Sequence, residues 1–149
     1  MDCVIARRVR YGSLSVVEAG DRSAPALVLL HGIGSSGDAF LGQADLQMGG
    51  LADRWRLLAP DAPGYGASDD PPEAPGIDGF ADGVARLIED AGVAEAVLLG
   101  VSWGGVIATR FALRHAERLK ALVLADTSRG SGFDSKQAGM MRQRARDYA

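Results

Sequence analysis

The sequence predicts an α/β fold, a mostly parallel sheet with helices on both faces. Three observations carry that expectation. Strand-like and helix-like patterns alternate after residue 25, several strand-like runs are apolar at nearly every position, and glycine-rich turns follow two of them. An unbroken apolar run bounded by turn residues fits a strand buried on both faces of a parallel sheet. Alternating strands and helices imply right-handed crossovers that lay the helices against that sheet.

The elements read in order as follows. Residues 3–10 and 13–19 form two short strands about Tyr11-Gly12, a hairpin. After a polar turn from Gly20 to Pro25, the apolar run Ala26 to Leu30 ends at His31-Gly32. A glycine-rich loop, Gly32 to Gly37, leads to a helical pattern over 38–51, weakened at its end by Gly49-Gly50. Trp55 to Ala59 is the next strand, with Trp55 as strand core, and Pro60 stops it. Residues 61–77 hold four prolines and three glycines and read as a loop. Asp78 is the expected N-cap of a helix that places Phe80, Val84, Leu87, Ile88 and Ala91 on one face. Gly92 ends it. Residues 95–100 form a strand that runs into helix 103–115. Val106, Ile107, Ala108, Phe111, Ala112 and Leu113 make that helix apolar nearly all round, as expected of a central helix covered on both sides. Leu119 to Ala125 is the last strand, and residues 134–148 carry Ala138, Met141, Ala145 and Tyr148 at helical spacing.

Composition narrows the function classes. A chain of 149 residues suffices for one domain with a sizeable core. With 47% hydrophobic residues, 23% charged and a net charge of -3, nothing points to a nucleic-acid partner. No apolar run approaches the roughly 20 residues of a membrane helix. Arg7, Arg8 and Arg10 are not followed by an apolar signal core, so a cytoplasmic address is the default expectation. Cys3 is the single cysteine, which excludes an internal disulfide and a cysteine-cluster metal site. His31 and His115 are the two histidines.

The segment Gly100-Val101-Ser102-Trp103-Gly104 reads G-x-S-x-G, directly after a strand pattern and directly before a helical one. That context describes a nucleophile elbow, a tight strand-to-helix turn that holds a serine hydroxyl above a sheet. Glycine suits such a turn because it lets strand and helix approach closely. Should strands 26–30 and 95–100 be neighbours, about 4.8 Å apart, their C-terminal turns would face one bound group. Open α/β sheets bind ligands at such crevices, beyond the carboxyl ends of strands where strand order reverses.

Three motifs in this order resemble the α/β-hydrolase family. They are His31-Gly32-Ile33-Gly34, then Asp61 to Asp69 with its Pro63-Gly64-Tyr65-Gly66 core, then Gly100 to Gly105. Leu122 to Thr127 resembles the strand that follows. The resemblance implies an α/β-hydrolase fold truncated after about six strands. Residues 1–132 would be the N-terminal part of the core domain and 133–149 the start of a helical cap. It also implies site roles. Ser102 is the nucleophile, and the backbones of Trp103 and Ile33 are the oxyanion-hole donors. His31, Gly32, Gly34 and Trp103 border the substrate. One such donor is worth roughly 3–4 kcal/mol. This chemistry uses no metal or organic cofactor. Family members that cleave carbon–halogen bonds or epoxides use aspartate where Ser102 stands, which argues against those activities.

A serine hydroxyl needs a base. In this fold the triad order is serine, then an acid, then histidine. His115 follows Ser102 but lies at the far end of the intervening helix, roughly 20 Å away at 1.5 Å per residue. It reads as a helix C-terminal residue favoured by the dipole. His31 precedes Ser102, and in similar proteins this histidine supports the oxyanion loop. Asp126 follows the last strand, where some relatives place the triad acid, though more often this aspartate is structural. The expectation is therefore the N-terminal portion of a serine hydrolase, with its base beyond these residues. The whole would act on a small ester, lactone or thioester through an acyl-enzyme on Ser102, and the 149 residues alone would turn over little. Two alternatives stay open. One is a non-catalytic small-molecule-binding protein on the same scaffold. The other is an acyltransferase, C–C hydrolase or cofactor-free haloperoxidase of the same family.

Overall fold

The computed structural model describes residues 6–41 and 49–128. Six strands form one sheet: β1 (Arg7–Tyr11), β2 (Leu14–Ala19), β3 (Ala26–Leu30), β4 (Arg56–Pro60), β5 (Ala96–Val101) and β6 (Leu119–Ala125). The helices are α1 (Gly49–Ala52), α2 (Gly76–Asp90) and α3 (Trp103–Arg114), with 3-10 turns at Gly37–Phe40 and Ala116–Arg118. No helix among the described residues is long and apolar enough to cross a membrane.

The strand order is β1-β2-β4-β3-β5-β6. β1 and β2 form the expected hairpin, turning through Gly12 at φ 55, and β2 pairs antiparallel with β4. The other pairs, β3 with β4, β3 with β5 and β5 with β6, are parallel. The chain passes from β3 to β4 on one side, then crosses to β5 on the other. Strand order thus reverses at β3, and the carboxyl ends of β3 and β5 sit side by side, Leu30 opposite Gly100.

Alternation along β3 divides the core. Ala26, Val28 and Leu30 face a cluster with Val84, Leu87 and Ile88 of α2 and Ile107, Ala108 and Phe111 of α3. Leu27 and Leu29 face the opposite cluster, with Phe40 and Ala52 from the short helical segments. A period of two places successive residues on opposite faces, and here both faces are covered.

Several local expectations change. The helix expected over 38–51 is, within the described residues, a 3-10 turn at Gly37–Phe40 and the single turn α1. The Ser36 side chain accepts from the Asp38 N–H and starts the 3-10 turn. Trp55 is not strand core. It precedes β4, packs half-buried on the second cluster, and donates its N–H to Leu51 O. Asp78 is not the N-cap, because α2 begins two residues earlier, after Pro75 at φ -72. Proline's fixed φ and missing N–H suit a helix start. Helix α3 is not covered all round: Gly104, Gly105, Ile107, Ala108 and Phe111 are buried, but Leu113 is 73% exposed. Among the described residues β6 is the sheet edge, and Val123 and Leu124 are exposed on it. The expected cap segment 133–149 lies outside the described residues.

Candidate active site

Ser102 occupies the single position between β5 and α3. It is exposed, and its backbone is left-handed at φ 53 and ψ -118. Such a conformation costs a non-glycine residue on the order of 1–3 kcal/mol and persists only where the surroundings over-determine it. Here they do. The Ser102 N–H donates to Ala125 O of β6 at 3.0 Å. Its carbonyl accepts from the Gly105 N–H at 3.0 Å and from Thr127 Oγ1 at 2.6 Å.

The glycines around it are steric necessities. A Cβ at Gly100 would collide with the Gly104 backbone, and one at Gly104 with the carbonyl oxygens of Leu30 and His31. One at Gly105 would run into the Thr127 side chain. These contacts pin the turn against β3 and against the chain leaving β6.

The turn after β3 meets the elbow. Ser35 N–H donates to Gly32 O at 3.3 Å, closing a turn over Ile33 and Gly34, with Gly34 at φ 74. Glycine is favoured at that third position because its φ is positive. A Cβ at Gly32 would sit 3.4 Å from Ser102 Cβ and 3.9 Å from Ser102 Oγ. The 32–34 turn therefore stands directly against the serine. Trp103 is the first residue of α3, so its N–H has no acceptor within the helix and lies at the positive end of the helix dipole.

His31 supports this turn from beneath. It is buried at 3% exposure. Its Nε2 accepts from the Ala62 N–H at 3.0 Å, and Nδ1 lies 2.8 Å from Gly32 O. An amide can only donate, so Nε2 carries no proton and Nδ1–H donates to Gly32. Burial pulls the His31 pKa below its ordinary value, outweighing the upward pull of Gly32 and Asp61. With both nitrogens engaged to backbone, the neutral ring is a brace between two loops. Asp61 is the second brace. It is fully buried and accepts from the Gly37 N–H at 2.7 Å, the Ala67 N–H at 2.8 Å and Arg8 at 2.9 Å.

A chain of ring contacts runs from Trp103, the residue after the serine. Trp103 packs edge-on against Phe80, centroids 4.7 Å apart, and lies 5.5 Å from Tyr65. Tyr65 in turn lies 5.4 Å from His31, and burial raises its phenol pKa.

The fold thus brings Ser102, Trp103, His31 and the Gly32–Gly34 turn to one place. His115 is elsewhere, at the far end of α3, with Nε2 2.8 Å from Asp82 Oδ1. Asp126 stands exposed after β6 in a left-handed conformation, φ 46, and the hydrogen bonds of both histidines go to other groups. The sequence reading missed Thr127 and Asp61 as supports of the elbow and loop. Asp61 was within reach, since it opens the second motif. Nothing local marks Thr127, whose contact with Gly105 is made between elements.

Residues 25–145 match the family described as alpha/beta hydrolase fold. The chain belongs to the α/β-hydrolase family. Among curated relatives it is 39% identical over 104 residues to a pimeloyl-[acyl-carrier protein] methyl ester esterase of Chromobacterium violaceum, covering 70% of this chain and 37% of that protein. It is 37% identical over 112 residues to epoxide hydrolase A of Mycobacterium tuberculosis, covering 73% of this chain and 34% of that one. Among solved structures it resembles a mutant of the N-acyl homoserine lactonase AidH, in complex with N-hexanoyl homoserine. The TM-score is 0.70 and the identity 29%, over 83% of this chain and 45% of that one. The chain therefore spans less than half the length of these relatives.

Proposed function

We propose that these residues are the nucleophile-bearing part of a serine hydrolase that acts on a small ester, lactone or thioester. The observation that carries the reading is Ser102 itself, an exposed hydroxyl on a left-handed turn with Gly32 packed against it. In the proposed reaction Ser102 Oγ attacks the carbonyl carbon and its proton passes to a base. The resulting oxyanion lies between the Ile33 and Trp103 N–H groups. The base returns the proton to the leaving alcohol or thiol as the C–O or C–S bond breaks, and water then releases the acyl group by the same steps. His31, Gly32, Gly34 and Trp103 border the acyl group, His31 by holding the loop rather than by direct contact. Asp126 is retained as a candidate acid. His31 and His115 are committed to other partners, so the base comes from residues outside these 149. Esterase and lactonase relatives support the carbonyl substrate class. The epoxide hydrolase relative marks a related chemistry, for which a hydroxyl at 102 is the wrong nucleophile.

The same commitment of both histidines favours one other reading, a small-molecule-binding protein on this scaffold. A fluorophosphonate probe separates the two. The reading frame is expressed with whatever coding sequence follows residue 149, and the labelled residue is mapped by mass spectrometry. Labelling at Ser102 is expected, lost in Ser102→Ala and slower by roughly a million-fold in the 149-residue chain, as when a triad base is removed. Labelling at another residue removes Ser102 as nucleophile. No labelling in a folded longer product favours the binding protein.

A further inference from the structure

Helix α2 keeps a glycine where the helix gains nothing from it. Gly83 is buried in the middle of Gly76–Asp90, and a Cβ built there would meet nothing within 4 Å. Glycine is the weakest ordinary residue in a helix interior, and protein interiors are usually filled. The space beside Gly83 borders two cavities, which share Leu14, Pro63 and Gly83 as walls. Inward, Leu14, Leu30, Val84 and Ile107 enclose an apolar cavity of about 20 Å³ beneath His31 and Phe80. It has room for one small group and is too apolar to hold water well. Outward, Leu14, Pro63 and Gly83 also border a second cavity of about 250 Å³, between the β1–β2 turn and α2. Arg86 and Asp90 line this outer cavity.

The charges there are asymmetric. Arg86, one turn from Gly83, is exposed and makes no hydrogen bond or ion pair among the described residues. Asp90 lies one turn further on, with its Oδ2 turned to the hairpin, 3.5 Å from a Cβ built at Gly12. Arg86 is thus the one cation among the residues that line the outer cavity.

We propose that the two cavities join in a passage that binds a small amphipathic carboxylate with an unbranched alkyl chain. The carboxylate meets Arg86, the chain runs past Gly83, and its methyl end enters the cavity under Phe80. The site is separate from Ser102 and needs no catalysis, so its test is independent of the hydrolase reading. An unbranched chain is the shape that passes a neck walled by Leu14, Pro63 and a bare helix backbone.

Calorimetric titration of the 149-residue chain with butanoate, hexanoate, octanoate and decanoate tests it. Saturable 1:1 binding is expected, tightening about fourfold per methylene until the passage is full. Ser102→Ala binds equally well. Gly83→Leu fills the neck and weakens octanoate by about tenfold or more, the scale of overpacking. Gly83→Ala raises the melting temperature, because the added methyl meets no neighbour, and still weakens octanoate. Arg86→Gln weakens octanoate but leaves octanol unchanged. The proposal is overturned by the absence of saturable octanoate binding. Full affinity in a cooperatively melting Gly83→Leu or in Arg86→Gln overturns it equally, as does loss of binding in Ser102→Ala.

Discussion

The two ends of helix α3 are held by opposite means. At its N-terminus Ser102 is fixed by backbone hydrogen bonds and by glycines in steric contact, and a neutral histidine braces the turn beside it. At its C-terminus Arg110 and Arg114 pair with Asp78, and Arg114 and His115 pair with Asp82 of α2. These carboxylates sit below the ordinary range, Asp78 through the Arg110 hydrogen bond and Asp82 through that of Arg114. Ion pairs near the surface tolerate shifts and are screened by solvent. Steric contacts tolerate none. The oxyanion site proposed above, which works only at hydrogen-bond distance, would be better served by the second kind. Fixed amide dipoles add no competing full charge where the proposed reaction would build negative charge.

The sharpest way to break this contrast is at Gly104. An added Cβ would strike the carbonyls of Leu30, the last residue of β3, and of His31 just after it, and backbone there cannot swing away as a side chain can. Gly104→Ala is expected to cost more than about 4 kcal/mol, the extreme of single substitutions. That is a large share of a typical stability of 5–15 kcal/mol. Urea denaturation followed by circular dichroism reads it. A midpoint near that of the unaltered chain would mean that helix and sheet are not locked together as described.

A second ionic region ranks next. Glu18 is 1% exposed and bonds Arg56 at 2.8 Å, with Arg22 and Arg7 on its other oxygen. Burial alone would raise the Glu18 carboxyl, but Arg56 and then Arg22 hold it below the ordinary range. Arg56 is itself buried and also bonds Ala91 O and Tyr11 Oη. Glu18→Ala leaves that guanidinium uncompensated and is expected to cost about 3–5 kcal/mol. Arg114→Gln, in the exposed ion pairs between α2 and α3, is expected to cost about 0–1 kcal/mol. Urea midpoints of the two variants test the ranking, and equal shifts would sink it. Burial, rather than ionic character, separates the two ionic regions.

Much of the elbow was legible because its causes are local. A G-x-S-x-G string between a strand pattern and a helix pattern carries its own geometry, and β3 and β5 are apolar throughout because both faces are buried. What was not legible depends on contacts made at a distance. The pairing of β3 with β5 was a condition in the sequence and became an observation in the fold. Residues 38–51 read as one helix because periodicity ignores the competition from Ser36, whose side chain starts a tighter turn. Asp78 resembles a cap by type, yet Arg110 and Arg114 claim it from the next helix. Leu113 looks like core by hydropathy, yet it is 73% exposed. The empty space beside Gly83 has no sequence signal, since a glycine in a helix does not say what faces it. No base was legible among these residues, because His115 lies a helix length from Ser102 and His31 precedes it in the triad order.

Acidification sharpens the contrast by separating the two ends of α3 on the pH axis. The His31 pKa is lowered in the fold, so the unfolded chain binds the extra proton first. Stability from the neutral ring is complete above about 6.5, its unfolded value. It is lost as pH falls from there through the lower folded value, at no more than about 1.4 kcal/mol per pH unit for one proton. Asp78 and Asp82 are lowered too, but their unfolded values lie near 3.8, so their contribution persists to much lower pH. Urea midpoints between pH 7 and pH 5 should therefore decline in the unaltered chain. The decline should be absent in His31→Gln, whose amide can still accept from Ala62, and unchanged in Asp82→Asn. Protonating Nε2 would set a donor against the Ala62 N–H. The brace between the 32–34 turn and the 61–69 loop then opens before any ion pair of α3 is lost, and Gly32 is no longer held against Ser102. A flat profile over that range, or the same decline in His31→Gln, would show that the elbow does not depend on an uncharged ring.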